Sequence, residues 1–283
     1  MENGGNNHRS KGSFENQIAF VTGGSSGIGL ETAKLLAARG AHIWVVARHD
    51  ENLEQALTQV KSKKRYPEQQ FGCIVSDVSD FGQAASAIEQ VTKDKGIPDL
   101  VINSAGVSRP GYFQELELEV FHEMMDVNYF GTVNVAKAVI PKMIERGSGH
   151  IVNISSLVGF LGIYGYTAYG ASKFAVRGFT DILRSEMKPM GIDVSIVYPM
   201  DTDTPQLAYE HQFKPHETKW LDKFGTVMSA EEVAKAIVQG ILKKRYIIIP
   251  GFEGSMLYWL SGLVGSAVYP ILDWLIARSQ KSK

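Results

Sequence analysis

The chain of 283 residues carries 29 Lys and Arg against 30 Asp and Glu, a formal net charge of -1, and 44% of it is hydrophobic. Mixed charges in near balance offer no basic stripe for nucleic acid, and the seven histidines show no metal-ligand spacing, so no metal site is expected. The single cysteine, Cys73, excludes an internal disulfide, suits a reducing compartment and reads as a buried strand thiol.

Residues 1–16 are polar and rich in Asn and Gly, the composition of a loose arm, and they carry no secretory signal. A cytoplasmic rather than secreted protein is expected. Strands are expected near 18–22, 42–47, 71–76, 99–103, 150–155, 193–198 and 246–250, each next to a helical stretch. No proline-rich linker or charge block interrupts residues 17–250. The alternation predicts one doubly wound, Rossmann-type parallel sheet of about seven strands flanked by helices, large enough to bury a core without staples.

The first expected strand, Gln17 to Thr22, runs into Gly23-Gly-Ser25-Ser26-Gly27-Ile28-Gly29, and a helical stretch follows to Arg39. In this strand–turn–helix setting, glycines let a backbone approach a pyrophosphate resting on the helix start. The spacing Gly23-x3-Gly27-x-Gly29 differs from G-x-G-x-x-G, and an ordinary flexible turn is the competing reading. The second strand ends Val46-Ala-Arg48, with no acid at its tip. An arginine there suits a ribose 2′-phosphate, where a carboxylate would suit a free 2′-OH, so NADPH (NADP+) is expected over NADH. Ser25 and Ser26 add hydroxyl donors, whereas Asp50 and Glu51 would oppose a phosphate if they turned inward.

Further along, Ser156 precedes Tyr169 by thirteen residues, and Lys173 follows four later. On a helix, Tyr169 and Lys173 share one face. A neighbouring ammonium favours the phenolate and is expected to lower the tyrosine from about 10. Such a phenol exchanges a proton with a carbonyl or alcohol oxygen, and Ser156 supplies a second hydrogen bond to it. The same spacing also occurs on amphipathic helices with Tyr in the core and Lys in water. Ser155 adjoins Ser156, and the spacing to Tyr169 favours the latter. Gly23, Arg48, Asp77, Asn103, Ser156 and Pro199 all fall at carboxyl ends of expected strands, where open parallel sheets bind ligands.

Residues 205–226 mix aromatics and charges without period. From Gly254 to Leu272 there is no charge; Asp273 and Trp274-Leu-Ile-Ala277 follow, with Arg278, Lys281 and Lys283 beyond. Three glycines and Pro270 in that run argue for a broken or interfacial hairpin against a membrane surface. A helix packed on a sister subunit is the other reading of this apolar extension, residues 251–283.

Thr22-Gly-x3-Gly-x-Gly29, Asn103-Ser-Ala105-Gly106, Asn128 and Ser156…Tyr169-x3-Lys173 resemble, in order and spacing, the short-chain dehydrogenase/reductase family over residues 17 to 250. Within it, Thr22 to Gly27, Val46-Ala-Arg48 and Tyr198-Pro-Met-Asp-Thr-Asp-Thr-Pro205 are most similar to the 3-ketodihydrosphingosine reductases. The resemblance implies that Asp77 and Val78 hold the adenine and that Asn103, Ala105 and Gly106 line the nucleotide. It implies that Asn128 holds a water linking Lys173 to solvent. Tyr169 and Lys173 also contact the cofactor, Lys173 at the nicotinamide ribose. Thr202 and Thr204 meet the carboxamide and phosphate region, although Met200 stands where relatives carry glycine.

Residues 205–226 take the place of a lid, and a homodimer or homotetramer is common in the family. The implied activity is NADPH-dependent reduction of a lipid-like 3-ketone such as 3-ketodihydrosphingosine, on the cytosolic face of a membrane. Reduction of another carbonyl, a 3-oxoacyl chain or a steroid, stays open, as does a non-catalytic nucleotide-binding scaffold.

Overall fold

In the computed structural model, which describes residues 13–281, the first two strands divide their side chains between two apolar cores. In β1 (Ile18–Thr22), Ala19 and Val21 enter one core and Ile18 and Phe20 the other. In β2 (His42–Ala47), Ile43 and Val45 part from Trp44 and Val46 in the same way. Burial on both faces is the condition of a parallel sheet covered by helices.

The remaining strands are β3 (Phe71–Val75), β4 (Leu100–Asn103), β5 (Gly149–Ile154), β6 (Ile192–Val197), β7 (Thr202–Asp203), β8 (Met228–Ser229) and β9 (Ile247–Ile248). Seven of them form one parallel sheet in the order β3-β2-β1-β4-β5-β6-β9. Strand order reverses between β1 and β4, which fixes where a ligand crevice opens. All seven expected strands are present, the last shortened to two residues. Cys73 is half-buried rather than buried, because β3 is an edge strand.

The helices are α1 (Gly27–Ala38), α2 (Leu53–Lys61), α3 (Phe81–Lys95), α4 (Leu118–Met124), α5 (Gly131–Arg146) and α6 (Thr167–Met187). They continue with α7 (Pro205–Glu210), α8 (His216–Leu221), α9 (Ala230–Leu242), α10 (Phe252–Val264) and α11 (Val268–Gln280). Helices α1, α2 and α9 cover one face of the sheet and α3, α5 and α6 the other. A π-helical segment, Met125–Phe130, joins α4 to α5; such segments recur at functional sites.

Of the expected arm, residues 1–12 lie outside the described residues. Residues 13–16 are not loose: Phe14 is buried in the first core, and its N–H donates to the Arg39 carbonyl at 2.9 Å. An aromatic ring sheltered from water outweighs the polar composition around it.

At the other end, the apolar run breaks at Gly265 (φ +54°), a left-handed position that glycine takes without strain, and Pro270 sits in the first turn of α11. Tyr258 of α10 stacks on Tyr198, with ring centroids 5.6 Å apart, and meets Phe160 edge-on. The run Phe252–Gln280 is long and apolar enough to cross a membrane, and none of its most apolar window is buried.

Candidate active site

A cavity of about 510 Å3 opens at the carboxyl ends of the strands, beside the switch point. The glycine loop forms one end of it. Gly23 (φ +63°) turns tightly there, and a Cβ on it would stand 2.8 Å from the Ala105 Cα. Thr22 Oγ1 accepts from the N–H groups of Ser104 and Ala105, both at 3.1 Å, which ties the ends of β1 and β4 together. Ser25, Ser26, Gly27, Ile28 and Gly29 line the wall. Ser26, at the N-cap of α1, makes no side-chain bond to the helix, so first-turn N–H groups are left for an anion.

Arg48 and Asn52 line the same end, and Arg48 is exposed with no carboxylate within 4.0 Å among the described residues. Asp50 and Glu51 stay off the wall. Asp77 and Val78 line it, as do Ala105 and Gly106; Ser79 donates twice to Asp77 Oδ1, leaving the other carboxylate oxygen open. The buried Ser76 hydroxyl on this wall has no hydrogen-bond partner among the described residues. These groups fit a phosphate-bearing dinucleotide: an uncapped helix start, an unpaired guanidinium and an orphaned hydroxyl.

Asn103 and Asn128 stand behind the wall rather than on it. Asn103 is in register with Asn153 on β5 and donates to it at 2.9 Å, a pairing that draws its side chain between the strands. Asn128 clamps Val107, accepting from its N–H at 2.8 Å and donating to its carbonyl at 2.9 Å, and it also donates to Ser172. Both amide protons are thereby spent, and one acceptor site of Oδ1 remains for a water.

Ser156, Tyr169 and Lys173 converge at the middle of the cavity. β5 delivers Ser156 to the N-cap of a short 3-10 turn, and α6 carries the other two on one face. The Ser155 hydroxyl is spent on the Lys173 carbonyl at 3.1 Å, which leaves Ser156 as the serine facing the phenol. Lys173 Nζ lies 5.5 Å from the Tyr169 ring centroid and donates to the Ile154 carbonyl at 3.0 Å.

The expected lowering of Tyr169 is not met. Burial pushes the phenol well above its usual range and the charge of Glu210 adds to this; hydrogen bonding from Ser156 and Gln206 opposes both. Lys173 is itself brought down to about 8 by burial, against the pull of Glu210. Desolvation is the largest cause for both groups.

The segment 205–226 covers the cavity with α7, α8 and a 3-10 turn, and its two ends are zipped together where β7 pairs with β8. Thr202 and Thr204 line the wall; the Thr204 hydroxyl caps α7 and that of Thr202 donates to the Met200 carbonyl. Buried Lys214 bridges Asp222 at 2.8 Å and Asp201 at 3.3 Å. Tyr112 donates to Glu217 at 2.9 Å and Thr218 to the Tyr164 carbonyl at 2.8 Å.

Cavity residues that escaped the sequence reading include His49, Ser76, Tyr166, Gln206 and Glu210. Tyr166 donates to Glu210 at 2.8 Å and Gln206 to the other carboxylate oxygen at 3.1 Å. Only the i, i+4 spacing of Gln206 and Glu210 and the position of Tyr166 one turn before Tyr169 carried any signal.

The chain belongs to the short-chain dehydrogenase/reductase family, whose model, described as short chain dehydrogenase, matches residues 17–214. It is an oxidoreductase of that family, which binds nicotinamide cofactors. It is similar to the 3-ketodihydrosphingosine reductase of Bos taurus, 42% identical over 238 residues, 84% of this chain and 72% of the relative. Among solved structures, levodione reductase matches with a TM-score of 0.77 and 27% identity, over 86% of this chain and 99% of that one. A short-chain dehydrogenase from Sphingobium yanoikuyae in complex with NADPH matches with a TM-score of 0.75 and 26% identity, over 89% and 95%.

Proposed function

We propose that this chain reduces 3-ketodihydrosphingosine to dihydrosphingosine with NADPH, as the name of its bovine relative describes for that protein. The observation that carries the reading is one cavity that combines Ser156, Tyr169 and Lys173 with Leu257 and Leu272, contributed by the apolar helices α10 and α11. A polar reacting centre with an aliphatic wall suits a ketone carried on a long alkyl chain.

The catalytic unit is residues 17–250 with 205–226 as its lid. The loop Gly23–Gly29, Arg48, Asp77, Val78, Ala105, Gly106, Thr202 and Thr204 hold the dinucleotide, Arg48 at the 2′-phosphate; Asn103 supports them from behind. When bound, the cofactor supplies the hydride. Ser156 and Tyr169 hold the carbonyl oxygen, where negative charge grows as the carbon is reduced. Burial and Glu210 keep the Tyr169 phenol protonated, which is the form a reduction needs at its start. As that proton moves to the product oxygen, the Lys173 ammonium one helical turn away stabilises the phenolate left behind. Asn128 holds the water through which the pair is reprotonated. Helices α10 and α11 rest on the cytosolic face of a membrane.

NADPH consumption measured against a long-chain 2-amino-1-hydroxy-3-ketone, a 3-oxoacyl thioester and a steroid ketone tests the reading. Turnover is expected with the amino ketone. Turnover only with the other two overturns the substrate, and none with any of the three leaves a nucleotide-binding scaffold.

A further inference from the structure

Glu210 ends α7 with only 6% of its surface exposed, yet its side chain lines the cavity. Its two hydrogen bonds come from neutral donors, Tyr166 and Gln206. No Lys, Arg or His nitrogen lies within 4.0 Å of its carboxylate among the described residues. Of the other acids that line the cavity, Asp77 stands at the dinucleotide end, and Asp201 and Asp222 share the ammonium of Lys214. Glu210 is thus the carboxylate of the segment 205–226 that lines the cavity with no cation in contact; the Lys173 and Lys214 ammoniums act on it only at longer range. Burying a charge with no cation in contact is costly, and two hydrogen bonds from neutral donors offset only part of that cost. A carboxylate in such a place is explained by a cation that arrives with the ligand.

Its position names the kind of cation. Gln206 donates to Glu210 and lies close enough to the Tyr169 phenol to act on it, as the charge of Glu210 does. Tyr166, which donates to Glu210, has its ring centroid 5.9 Å from that of Tyr169. The carboxylate therefore stands on the wall next to the group that holds the carbonyl oxygen. We propose that Glu210 is the specificity-determining residue of this site, accepting the ammonium on the carbon adjacent to the ketone of a long-chain amino ketone. This rests on the substrate reading above and deepens it. A 3-oxoacyl chain or a steroid has no cation to offer there and leaves the carboxylate unpaired.

The test pairs a short-chain 2-amino-1,3-diol with the 1,3-diol lacking the amine, titrated by calorimetry into the full chain loaded with NADPH. The wild type is expected to bind the cationic ligand at least about tenfold more tightly, the scale of one charge-assisted hydrogen bond. In Glu210→Gln the ratio of the two affinities falls towards one, whatever happens to the absolute values, and Glu210→Asp keeps part of it. NADPH titration of each variant reports that the fold is intact. A wild-type ratio near one, or a ratio that survives in Glu210→Gln, overturns the assignment, and the wild-type ratio decides it even if the variants do not fold. A wild type that prefers the cation but fails to reduce the amino ketone overturns the substrate reading and leaves the role of Glu210 standing.

Discussion

Lys173 sits one helical turn from Tyr169, with its ammonium 5.5 Å from the ring centroid, yet its hydrogen bond goes to the Ile154 carbonyl. The two groups share a cavity and a helix face without forming a direct bond between ammonium and phenol oxygen. Burial raises the phenol and lowers the amine, so at neutral pH the pair rests as neutral tyrosine beside a lysine held near 8. That resting state favours the reductive direction, in which the tyrosine begins with a proton to give. The ammonium matters after transfer, when a phenolate has appeared next to it.

Tyr169→Phe removes the proton and little else, since the ring keeps its packing. Turnover of the ketone should fall by roughly a hundredfold to ten-thousandfold, the usual scale of a lost general acid. NADPH affinity, followed by fluorescence titration, should stay within about threefold, a difference of under 1 kcal/mol. Retained turnover would remove Tyr169 from the chemistry.

Arg48 is expected to separate the two nicotinamide dinucleotides. It lines the cavity at the tip of β2 with no carboxylate beside it. Arg48→Ala should weaken NADPH by roughly tenfold to a hundredfold, the loss of a charge-assisted contact, while NADH changes little. Equal losses for both dinucleotides would place the guanidinium away from the 2′-phosphate.

The sheet and the meeting of Ser156, Tyr169 and Lys173 in one cavity were legible in the sequence because each rests on a local pattern. Parallel strands such as Ile18–Thr22 and His42–Ala47 are apolar without interruption, and Tyr169 and Lys173 need only helical spacing to meet. Glu210 and Gln206 were not legible, because the segment 205–226 has no period of its own. Its shape depends on Lys214 between Asp201 and Asp222 and on Tyr112 reaching Glu217, contacts between distant positions. Asn103 shows the same limit. Its strand end was readable, but the partner that turns its side chain away from the cavity, Asn153, lies 50 residues on. The direction of the Tyr169 shift was misread because spacing reveals a neighbouring charge and says nothing about burial.

Acid should destabilise the fold through His150. This ring on β5 is 6% exposed and held near 4 by burial, and its Nε2 lies 2.7 Å from Ser195 Oγ. The Ser195 proton goes to the Arg245 carbonyl, so the serine accepts from the ring and Nε2 carries the hydrogen. A histidine with a depressed folded-state pKa stays neutral in the fold while the unfolded chain takes up a proton below its ordinary value. Stability is therefore intact above about 6.5 and lost as pH falls towards 4, by on the order of 3 kcal/mol in all. Thermal melts across that window should show the decline in the wild type and a flatter profile in His150→Gln. Parallel profiles would mean that acid acts elsewhere.

The C-terminal helices yield the prediction that bears on where the protein works. Trp259 and Leu263 on α10 are 74% and 84% exposed, and Phe252, Tyr269, Ile271 and Trp274 extend the same apolar surface. The inner side of these helices closes the cavity through Leu257 and Leu272, while the outer side stands largely exposed. A membrane surface would cover it and place the cavity mouth beside the pool of a lipid substrate. The wild type should sediment with phosphatidylcholine vesicles containing phosphatidylserine, aided by Arg278 and Lys281 at the end of α11. Trp259→Ser combined with Leu263→Ser removes two large apolar side chains, each contributing about 1.5–3 kcal/mol when buried, and should cut vesicle affinity by tenfold or more. Sedimentation unaffected by the double variant would exclude this face as the contact. If light scattering instead showed the wild type as a dimer and the variant as a monomer, with no vesicle binding by either, the helices would cover one another across two copies of the chain, and the lipid substrate would have to reach the site from solution.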